Sequence, residues 1–427
     1  MRKTVAIVFA GGRAEEMSVL TFRRPKAAVV FGGTYRMIDF ALTNLAATPA
    51  VSNVGILTQY RPSSLIDHVG VGIAWDFVGT SRSVRILPPY AGPRGAEWYR
   101  GTADAIYQNI DFLELHRPDD VLIVSGDHAY HMDYEPLLRF HMETAADATL
   151  AFTPVKQDPS RFGIAELNSE GRLVSYMEKP KHPRSNLASM TVYVFRYEVL
   201  VEELRRHAEH SQAPRSYHIY DEILPTLIER RRCFGFVHHG PWDYARTLDA
   251  YFSAHQELLG ERPRVDLGSW QVRTNAMERR PSPPAPTRVL PGAAVVDSIL
   301  GGGCSVAGTV ERSILSPDVR IGPGAVVRDS ILWHGVTVEQ GATVDRVIAD
   351  KRCAIGTGAH VGVGTERPVN DEQPLSLTCG ATVLGMDVLV PPQTTVGRNC
   401  ILYPQVGEHE LVGGVVASGT TVRTAGF

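Results

Sequence analysis

A short repeat in the last third of the chain restricts its fold more than any other feature of the sequence. An aliphatic residue followed closely by a Gly-Ala pair recurs in LPGAAV, IGPGAV, VEQGAT and IGTGAH, which begin at positions 290, 321, 338 and 355. A Ser-Ile-Leu triplet recurs among them, after Asp297, Arg312 and Asp329. Repeats with one aliphatic residue per turn and small residues at the corners are typical of a parallel β-helix. We therefore expect residues 288–427 to form such a β-helix.

Two histidines in this region, His334 and His360, raise one alternative. An acyltransferase built on such coils would use one of them as a general base. A single histidine in a coil is more often packed or solvated than catalytic. We therefore expect this domain to pack against its own chain or a neighbouring subunit rather than to carry chemistry.

The first 260 residues follow a different pattern, in which apolar segments of strand length alternate with helix-like segments. The strand candidates are 54–58, 121–125, 149–154 and 191–195, and the helix candidates are 102–116, 134–144, 197–209 and 221–230. Such alternation is typical of βαβ units and a mostly parallel sheet. The run RRPSPPAP lies within residues 261–287 and predicts a stiff linker. We expect an α/β domain at 1–260, the linker at 261–287 and the β-helix at 288–427.

The composition excludes several classes of protein. Apolar residues make up 44% and charged residues 21%, as in ordinary soluble proteins. The net charge of −3 gives no basis for binding nucleic acid or an anionic membrane. The five cysteines form no Cys-x-x-Cys pair, which argues against a disulfide framework and a zinc site. No apolar run reaches the roughly 18 residues of a membrane-spanning helix, so we expect a soluble cytoplasmic protein.

The segment from Val5 to Lys26 is the strongest candidate for a binding site. The apolar run VAIVF predicts a buried parallel strand, and it ends at Ala10-Gly11-Gly12. Glycines at this point let the backbone approach a ligand and turn N–H groups towards phosphate oxygens. Because open α/β sheets bind ligands at the carboxyl edge of their strands, we expect a nucleotide-phosphate loop here.

Three later clusters add polar groups. Asp127 follows the strand at 121–124 and, beside a phosphate loop, is well placed to hold Mg²⁺. The Glu178-Lys179 pair follows another strand and offers a cation to a second phosphate. The segment 101–105, GTADA, opens a helix whose free N–H groups favour an anion or a base edge, although an N-cap at Thr102 is the preferred explanation when the segment is taken alone.

Taken in order, these motifs resemble those of one family, the glucose-1-phosphate adenylyltransferases among the sugar-phosphate nucleotidylyltransferases. The matching segments are FGGTYRMID at 31–39, LTQY at 57–60, WYRGTADA at 98–105, YQN at 107–109, SGDHAY at 125–130, MDY at 132–134, RFG at 161–163, EKP at 178–180 and ASM at 188–190. The resemblance covers nearly the whole chain. It implies a Rossmann-like nucleotidyltransferase domain with a mostly parallel sheet, followed by a left-handed parallel β-helix of hexapeptide repeats. It also implies a homo-oligomer, which in this family is a tetramer.

The resemblance implies nucleotidyl transfer assisted by Mg²⁺, in which a sugar 1-phosphate attacks a nucleoside triphosphate and pyrophosphate leaves. By position, the nucleotide would be bound by Gly11, Gly12, Arg13, Gln59, Gly101, Thr102 and Asp104. The acceptor would be bound by Tyr99, Gly163, Glu178, Lys179 and Ser189. Catalysis would rest on Lys26, Asp127 and Lys179, and the metal ligands would be Asp127 and Asp243.

The chain departs from the family pattern at two places. The family loop Gly-Gly-x-Gly-Thr-Arg-Leu is GGRAEEM here, so that Glu16 stands at the arginine that faces the triphosphate. A carboxylate there repels phosphate unless it turns away and Arg13, Arg23 or Arg24 substitutes. The family motif Gly-Tyr-Trp-Arg-Asp-Val-Gly-Thr is GPWDYART at 240–247, so that Tyr244 replaces the second metal aspartate. Asp243 is adjacent, but neighbouring residues on a strand face opposite sides.

Three functions are compatible with these residues. The first is an enzyme that transfers a nucleotidyl group from GTP or ATP to glucose 1-phosphate or a similar cyclitol 1-phosphate, with a valienol 1-phosphate guanylyltransferase of an antibiotic pathway as the specific expectation. The second is ADP-glucose synthesis in glycogen metabolism. The third is a regulatory subunit that has lost catalysis. The acceptor residues that match the family favour an enzyme over the regulatory subunit.

Overall fold

The structure of the protein is a computed structural model that describes residues 2–92, 95–96, 98–156, 158–210, 217–278 and 282–425. The chain divides into two compact units. Unit 1 comprises Met1–Gly12 and Ile38–Trp242, and unit 2 comprises Arg13–Met37 and Asp243–Phe427. Part of the predicted linker, residues 279–281, lies outside the described residues.

Unit 1 is built on a mixed sheet, which has nine strands within the described residues. They are β1 (Thr4–Phe9), β2 (Val51–Leu57), β3 (Ser83–Leu87), β4 (Asp120–Ser125), β5 (Ala148–Pro154), β6 (Gly163–Leu167), β7 (Leu173–Glu178), β8 (Leu187–Arg196) and β9 (Cys233–Val237). Their order is β7-β6-β8-β4-β1-β2-β3, and β5 pairs with β8 and β9. The strands from β4 to β3 run in parallel, whereas β8 runs antiparallel to β4. The predicted Rossmann-like sheet is confirmed.

The described residues contain eight α-helices. They are α1 (Met37–Ala46), α2 (Ser63–Val69), α3 (Thr102–Gln108), α4 (Ile110–His116), α5 (Glu135–Glu143), α6 (Tyr197–His210), α7 (Leu224–Arg230) and α8 (Leu248–Gln256). The helix expected at 102–116 is interrupted at Asn109, whose side-chain amide donates to the carbonyl of Ala105 and to the hydroxyl of Tyr99. Among the described helices, none combines the length and the apolar character that a bilayer crossing requires.

The repeat region forms the predicted parallel β-helix, which consists of three parallel sheets in the described residues. The first contains Arg288–Val289, Ser305–Val306, Arg320–Ile321, Thr337–Val338, Ala354–Ile355 and Leu389–Val390. The second contains Ala294–Val296, Thr309–Glu311, Val326–Arg328, Thr343–Asp345, His360–Val361, Thr395–Val396 and Val415–Val416. The third contains Ile299–Leu300, Ile314–Leu315, Ile331–Leu332, Val347–Ala349, Thr382–Leu384, Ile401–Leu402 and Thr421–Val422.

The Ser-Ile-Leu triplets explain how successive coils stack in register. Each Ile-Leu pair is a strand of the third sheet and lies directly over the next. The serine hydroxyls accept hydrogen bonds from backbone N–H groups one coil further on, at 3.1 Å in each case: Ser298 from Ser313, Ser313 from Ser330, and Ser330 from Val347. The repeated serine therefore satisfies a backbone donor at each corner, where a strand ladder cannot.

A segment of the N-terminal sequence, Arg13–Met37, belongs to unit 2. The guanidinium of Arg24 donates to both carboxylate oxygens of Asp350, at 2.7 and 3.1 Å, and both side chains are at most 2% exposed. The same guanidinium lies 5.1 Å from the ring centre of Trp333. The ring of Phe22 packs edge-on against Tyr403. Residues of the β-helix therefore support the loop that carries Lys26.

Candidate active site

The carboxyl ends of three neighbouring parallel strands bring several predicted site residues to one edge of the unit 1 sheet. β1 pairs in parallel with both β2 and β4. Gly11 and Gly12 follow the end of β1, Gln59 follows the end of β2, and Asp127 follows the end of β4. Because parallel strands end at the same edge, these groups face a common region, as the sequence predicts.

The two glycines of the loop differ in their surroundings. A Cβ atom at Gly11 would lie 2.9 Å from the backbone nitrogen of Gln59, so the fold itself requires glycine there. A Cβ atom at Gly12 would have no neighbour within 4 Å. Packing therefore does not explain Gly12, and its backbone remains open to close approach by a ligand. Gln59 is held by Tyr99, whose backbone N–H donates to its Oε1 at 2.5 Å.

Asp127 is partly buried, with 26% of its side chain exposed, and its neighbours orient the carboxylate. Ser125 Oγ donates to Oδ1, and His128 Nε2 lies 3.4 Å from the same oxygen. Trp242 Nε1 donates to His128 Nδ1 at 3.3 Å, which places the imidazole proton on Nε2, facing the carboxylate. The carboxylate is thus held at the sheet edge while part of it remains open to solvent.

The antiparallel strands β6, β7 and β8 bring three predicted acceptor residues together. Gly163 of β6 pairs with Glu178 of β7, and the residue after Gly163 pairs with the residue before Ser189 on β8. Tyr176 donates from its hydroxyl to Glu178 Oε2 at 3.3 Å. A Cβ atom at Gly163 would overlap this hydroxyl, so the position requires glycine. Since β8 runs antiparallel to β4, its first residues lie at the edge where Asp127 follows β4.

Lys179 and Ser189 differ in how exposed their polar groups are and in how many contacts these groups make within the protein. Lys179 has a positive φ of 46°, and 47% of its side chain is exposed. Its Nζ lies 3.7 Å from Glu178 Oε1. The hydroxyl of Ser189 is buried, lies 3.0 Å from that of Tyr193 and accepts a hydrogen bond from the N–H of Thr191 at 3.3 Å. The Lys179 ammonium is therefore accessible to an anion, whereas the Ser189 hydroxyl is bound inside the protein.

Tyr99 has its hydroxyl turned inward. The hydroxyl donates to the carbonyl of Leu87 at 3.0 Å and accepts from the side-chain amide of Asn109 at 2.8 Å. Burial raises the pKa of Tyr99 to about 12. This hydroxyl therefore stays protonated and bound, so that a contact with a substrate is left to the ring or the backbone.

The turn at Gly101 corrects one expectation from the sequence. The N-cap of α3 is Gly101 rather than Thr102. The N–H groups of Ala103 and Asp104 both donate to the carbonyl of Tyr217, at 2.8 and 3.4 Å. A Cβ atom at Gly101 would overlap that carbonyl. The expected free N–H groups are therefore already used, and packing explains the glycine. Nucleotide binding by Gly101, Thr102 and Asp104 stays a prediction.

In unit 2, Lys26 and Asp243 have clear side-chain partners. Lys26 is 3% exposed, and its ammonium lies 4.1 Å from the ring centre of Tyr244, an attractive cation–π contact. Both carboxylate oxygens of Asp243 lie 2.5 Å from Arg264 Nη2. Burial raises the pKa of Asp243, and the hydrogen bonds from Arg264 oppose this rise. Metal binding by Asp243 stays a prediction, and the structure gives its carboxylate an arginine partner instead.

Within the described residues, which leave out 93, 94, 97, 157, 211–216 and 279–281 among others, no group of three or more histidine, cysteine, aspartate or glutamate side chains could hold a metal ion. Mg²⁺ is commonly held by one or two carboxylates together with substrate phosphates and water. The oriented carboxylate of Asp127 fits a site of this kind.

Sequence reasoning missed the side chain that pairs with Glu16 in the loop after β1. Of the three arginines expected to compensate for Glu16, Arg24 is buried against Asp350, which excludes it from that role. Arg23 donates to Gln405 Oε1 at 3.0 Å. The carboxylate of Glu16 instead pairs with Arg246, whose Nε and Nη2 lie 2.9 and 2.8 Å from Oε1. Arg246 lies 230 positions further along the chain, so no local pattern could have paired them.

Residues 5–261 match the family described as nucleotidyl transferase. The chain belongs to this family. Residues 288–384 match the description GlmU-like, C-terminal hexapeptide, in agreement with the β-helix. The predicted enzyme class, a sugar-1-phosphate nucleotidylyltransferase, is confirmed.

Several curated relatives of this nucleotidyl transferase are similar over most of their length. A glucose-1-phosphate adenylyltransferase of Thermomicrobium roseum is 42% identical over 99% of this chain and 98% of the relative. Glucose-1-phosphate adenylyltransferases of Desulforamulus reducens and Geobacillus stearothermophilus are 38% and 40% identical, over 95% and 75% of this chain and 99% and 82% of the relatives. These names agree with the adenylyl alternative rather than with the guanylyl and valienol expectation.

Proposed function

We propose that the protein is a glucose-1-phosphate adenylyltransferase, which transfers AMP from ATP to glucose 1-phosphate and releases pyrophosphate. The observation that carries the proposal is the single edge of the unit 1 sheet, where the Gly12 loop, Asp127 and the Glu178-Lys179 pair all lie. A loop open to phosphate and an exposed ammonium at one edge suit a reaction between two phosphorylated substrates. The names of the relatives support adenine and glucose as the base and the sugar.

On the acceptor side, the exposed ammonium of Lys179 binds the phosphate of glucose 1-phosphate. Glu178, oriented by the hydroxyl of Tyr176, accepts hydrogen bonds from sugar hydroxyls. An acceptor phosphate oxygen then forms a bond to the α-phosphorus of ATP while the bond from that phosphorus to the bridging oxygen of the β-phosphate breaks. The electron pair of the broken bond leaves with pyrophosphate. No covalent bond to the protein is needed, so catalysis rests on position and charge.

For the nucleotide, the proposal assigns the approach to the triphosphate to the backbone of Gly12, and the resemblance of the sequence assigns a positive charge for the triphosphate to Lys26. Asp127, held by Ser125 and His128, is the residue that would hold Mg²⁺. When bound, Mg²⁺ supplies neutralisation of the charge that develops on the leaving pyrophosphate.

Pyrophosphate release by the purified full chain tests the proposal. ATP, GTP, UTP, CTP and dTTP are each combined with glucose 1-phosphate and with valienol 1-phosphate in the presence of Mg²⁺. We expect the fastest turnover with ATP and glucose 1-phosphate. Preference for GTP with valienol 1-phosphate would instead identify the cyclitol enzyme. No turnover with any pair, together with retained nucleotide binding, would indicate a regulatory subunit.

Two variants test the residue roles. Asp127→Asn should lower kcat about 100-fold or more, because the metal loses its carboxylate. Lys179→Ala should raise the KM for glucose 1-phosphate about tenfold and leave the KM for ATP nearly unchanged, because a charge-assisted phosphate contact is lost. Asp158→Asn is the matched control, since that exposed carboxylate caps a short turn in the same unit. Turnover that survives Asp127→Asn would remove Asp127 from the metal site.

A further inference from the structure

Four side chains of unit 2 form a connected group, which we call the loop cluster: Glu16, Lys26, Tyr244 and Arg246. The guanidinium of Arg246 pairs with Glu16 through Nε and Nη2, at 2.9 and 2.8 Å. The ring of Tyr244 lies under the ammonium of Lys26, 4.1 Å from ring centre to nitrogen. Burial lowers the pKa of Arg246, but the interactions with Tyr244 and Glu16 outweigh burial and raise it above its ordinary value. The cluster therefore places two cations around one tyrosine.

The positions of the cluster coincide with the departures from the family motifs. Glu16 stands at the loop arginine, and Tyr244 stands at the second aspartate. The motif that puts Tyr244 at the aspartate also puts Arg246 at its last glycine. Glu16, distant in the sequence from the other two, thus pairs with Arg246, which also interacts with Tyr244. Such contact indicates a joint replacement, in which an arginine is lost from the loop and another arrives beside it.

The backbone holds Arg246 in a fixed place. The next residue, Thr247, is the N-cap of α8, and its hydroxyl accepts a hydrogen bond from the N–H of Ala250 at 3.1 Å. The side chain of Arg246 is 31% exposed. A guanidinium has five N–H donors; the contacts with Glu16 use two of them, and a hydrogen bond with Tyr244 uses a third. Arg246 therefore has the capacity to bind a further anion while Glu16 orients it.

We propose that Arg246 is a triphosphate-binding residue that takes the place of the loop arginine, with Glu16 as the residue that positions it. This inference rests on the proposed function, because Lys26 of the same cluster is there assigned to the triphosphate. A planar guanidinium suits phosphate oxygens better than a point charge does, since it donates two parallel hydrogen bonds. Glu16 at the arginine position is then compatible with phosphate binding, because its charge is offset by Arg246.

The test compares three variants of the full chain by calorimetric binding of pyrophosphate and by steady-state kinetics. Arg246→Gln should weaken pyrophosphate binding and raise the KM for ATP about tenfold, with little change in the KM for glucose 1-phosphate. The double variant Glu16→Arg with Arg246→Gly restores the family pattern and should recover most of the affinity. Arg312→Gln removes an exposed arginine that pairs with Asp329 in the β-helix, and it should change neither quantity.

The outcomes distinguish a failure of the proposed role of Arg246 from a failure of the proposed adenylyltransferase function. Unchanged pyrophosphate affinity in a folded Arg246→Gln protein overturns the inference, as does failure of the double variant to recover affinity while its Tm matches the wild type. If Arg246→Gln does not fold, the double variant alone decides by the same comparison with wild type. Wild-type protein that binds pyrophosphate but turns over no substrate pair overturns the proposed function and leaves the inference standing. Wild-type protein that binds no pyrophosphate overturns both.

Discussion

Replacing Asp350 by asparagine should destabilise unit 2 strongly. In the wild type, both Nη atoms of Arg24 donate to the Asp350 carboxylate, and both side chains are at most 2% exposed. The variant keeps one acceptor oxygen but leaves a buried guanidinium without a counter-charge. Breaking a buried pair on one side costs about 3–5 kcal/mol, and the remaining acceptor oxygen places this change at about 3 kcal/mol. For a unit of about 200 residues, that corresponds to a Tm about 6–12 °C lower.

The assay is thermal and urea unfolding of the full chain, followed by circular dichroism. Arg312→Gln is the control for an exposed pair, and it should cost less than about 1 kcal/mol because solvent screens the interaction. Adding Arg24→Met to Asp350→Asn removes the stranded charge and should recover at least half of the loss. A Tm for Asp350→Asn equal to that of wild type would refute the reasoning, and so would an equal loss in Arg312→Gln.

Two further predictions concern a buried histidine and the phosphate loop. Burial lowers the pKa of His255 to about 4 from 6.5, while its Nε2 accepts from the N–H of Gly32. Between these two pKa values His255 binds a proton in the unfolded chain but not in the folded chain. The free energy of unfolding should therefore fall by about 2 kcal/mol from about pH 7 to about pH 5. His255→Gln should reduce this fall in urea titrations, and an unchanged pH dependence would contradict it. Gly12→Ala should leave Tm unchanged and raise the KM for ATP, whereas Gly11→Ala should lower Tm; equal Tm losses would show that packing explains both glycines.

Local patterns predicted much of the fold because they report burial. The run VAIVF forms all of β1 but its first residue, and its residues from Val5 to Val8 are at most 1% exposed. The Ser-Ile-Leu triplets predicted stacked coils, since each coil repeats the same corner. The placement of Asp127 at the sheet edge was predicted in the same way. Asp127 follows the buried strand β4, and the carboxyl ends of parallel strands lie at one edge of the sheet.

The features that local sequence patterns did not predict depend on contacts between residues that are distant in the sequence. The helix break at Asn109 depends on the hydroxyl of Tyr99, and the glycine at 101 depends on the carbonyl of Tyr217. Neither partner is marked by spacing or residue type. The pairing of Glu16 with Arg246 is of the same kind. From the sequence alone, the carboxylate of Glu16 is expected to repel a phosphate, because its arginine partner is distant in the chain.

The assignment of Arg13–Met37 to unit 2 limits how this protein can be recombined with its relatives. A chimera joined at the proline-rich linker would take Arg24 from one parent and Asp350 from the other, and it would separate Phe22 from its own Tyr403. A cut that respects the fold transfers residues 13–37 together with residues 243–427. Recombination between relatives therefore requires three junctions, after residues 12, 37 and 242, because a single junction at the linker leaves a buried charge from one parent facing a coil from another.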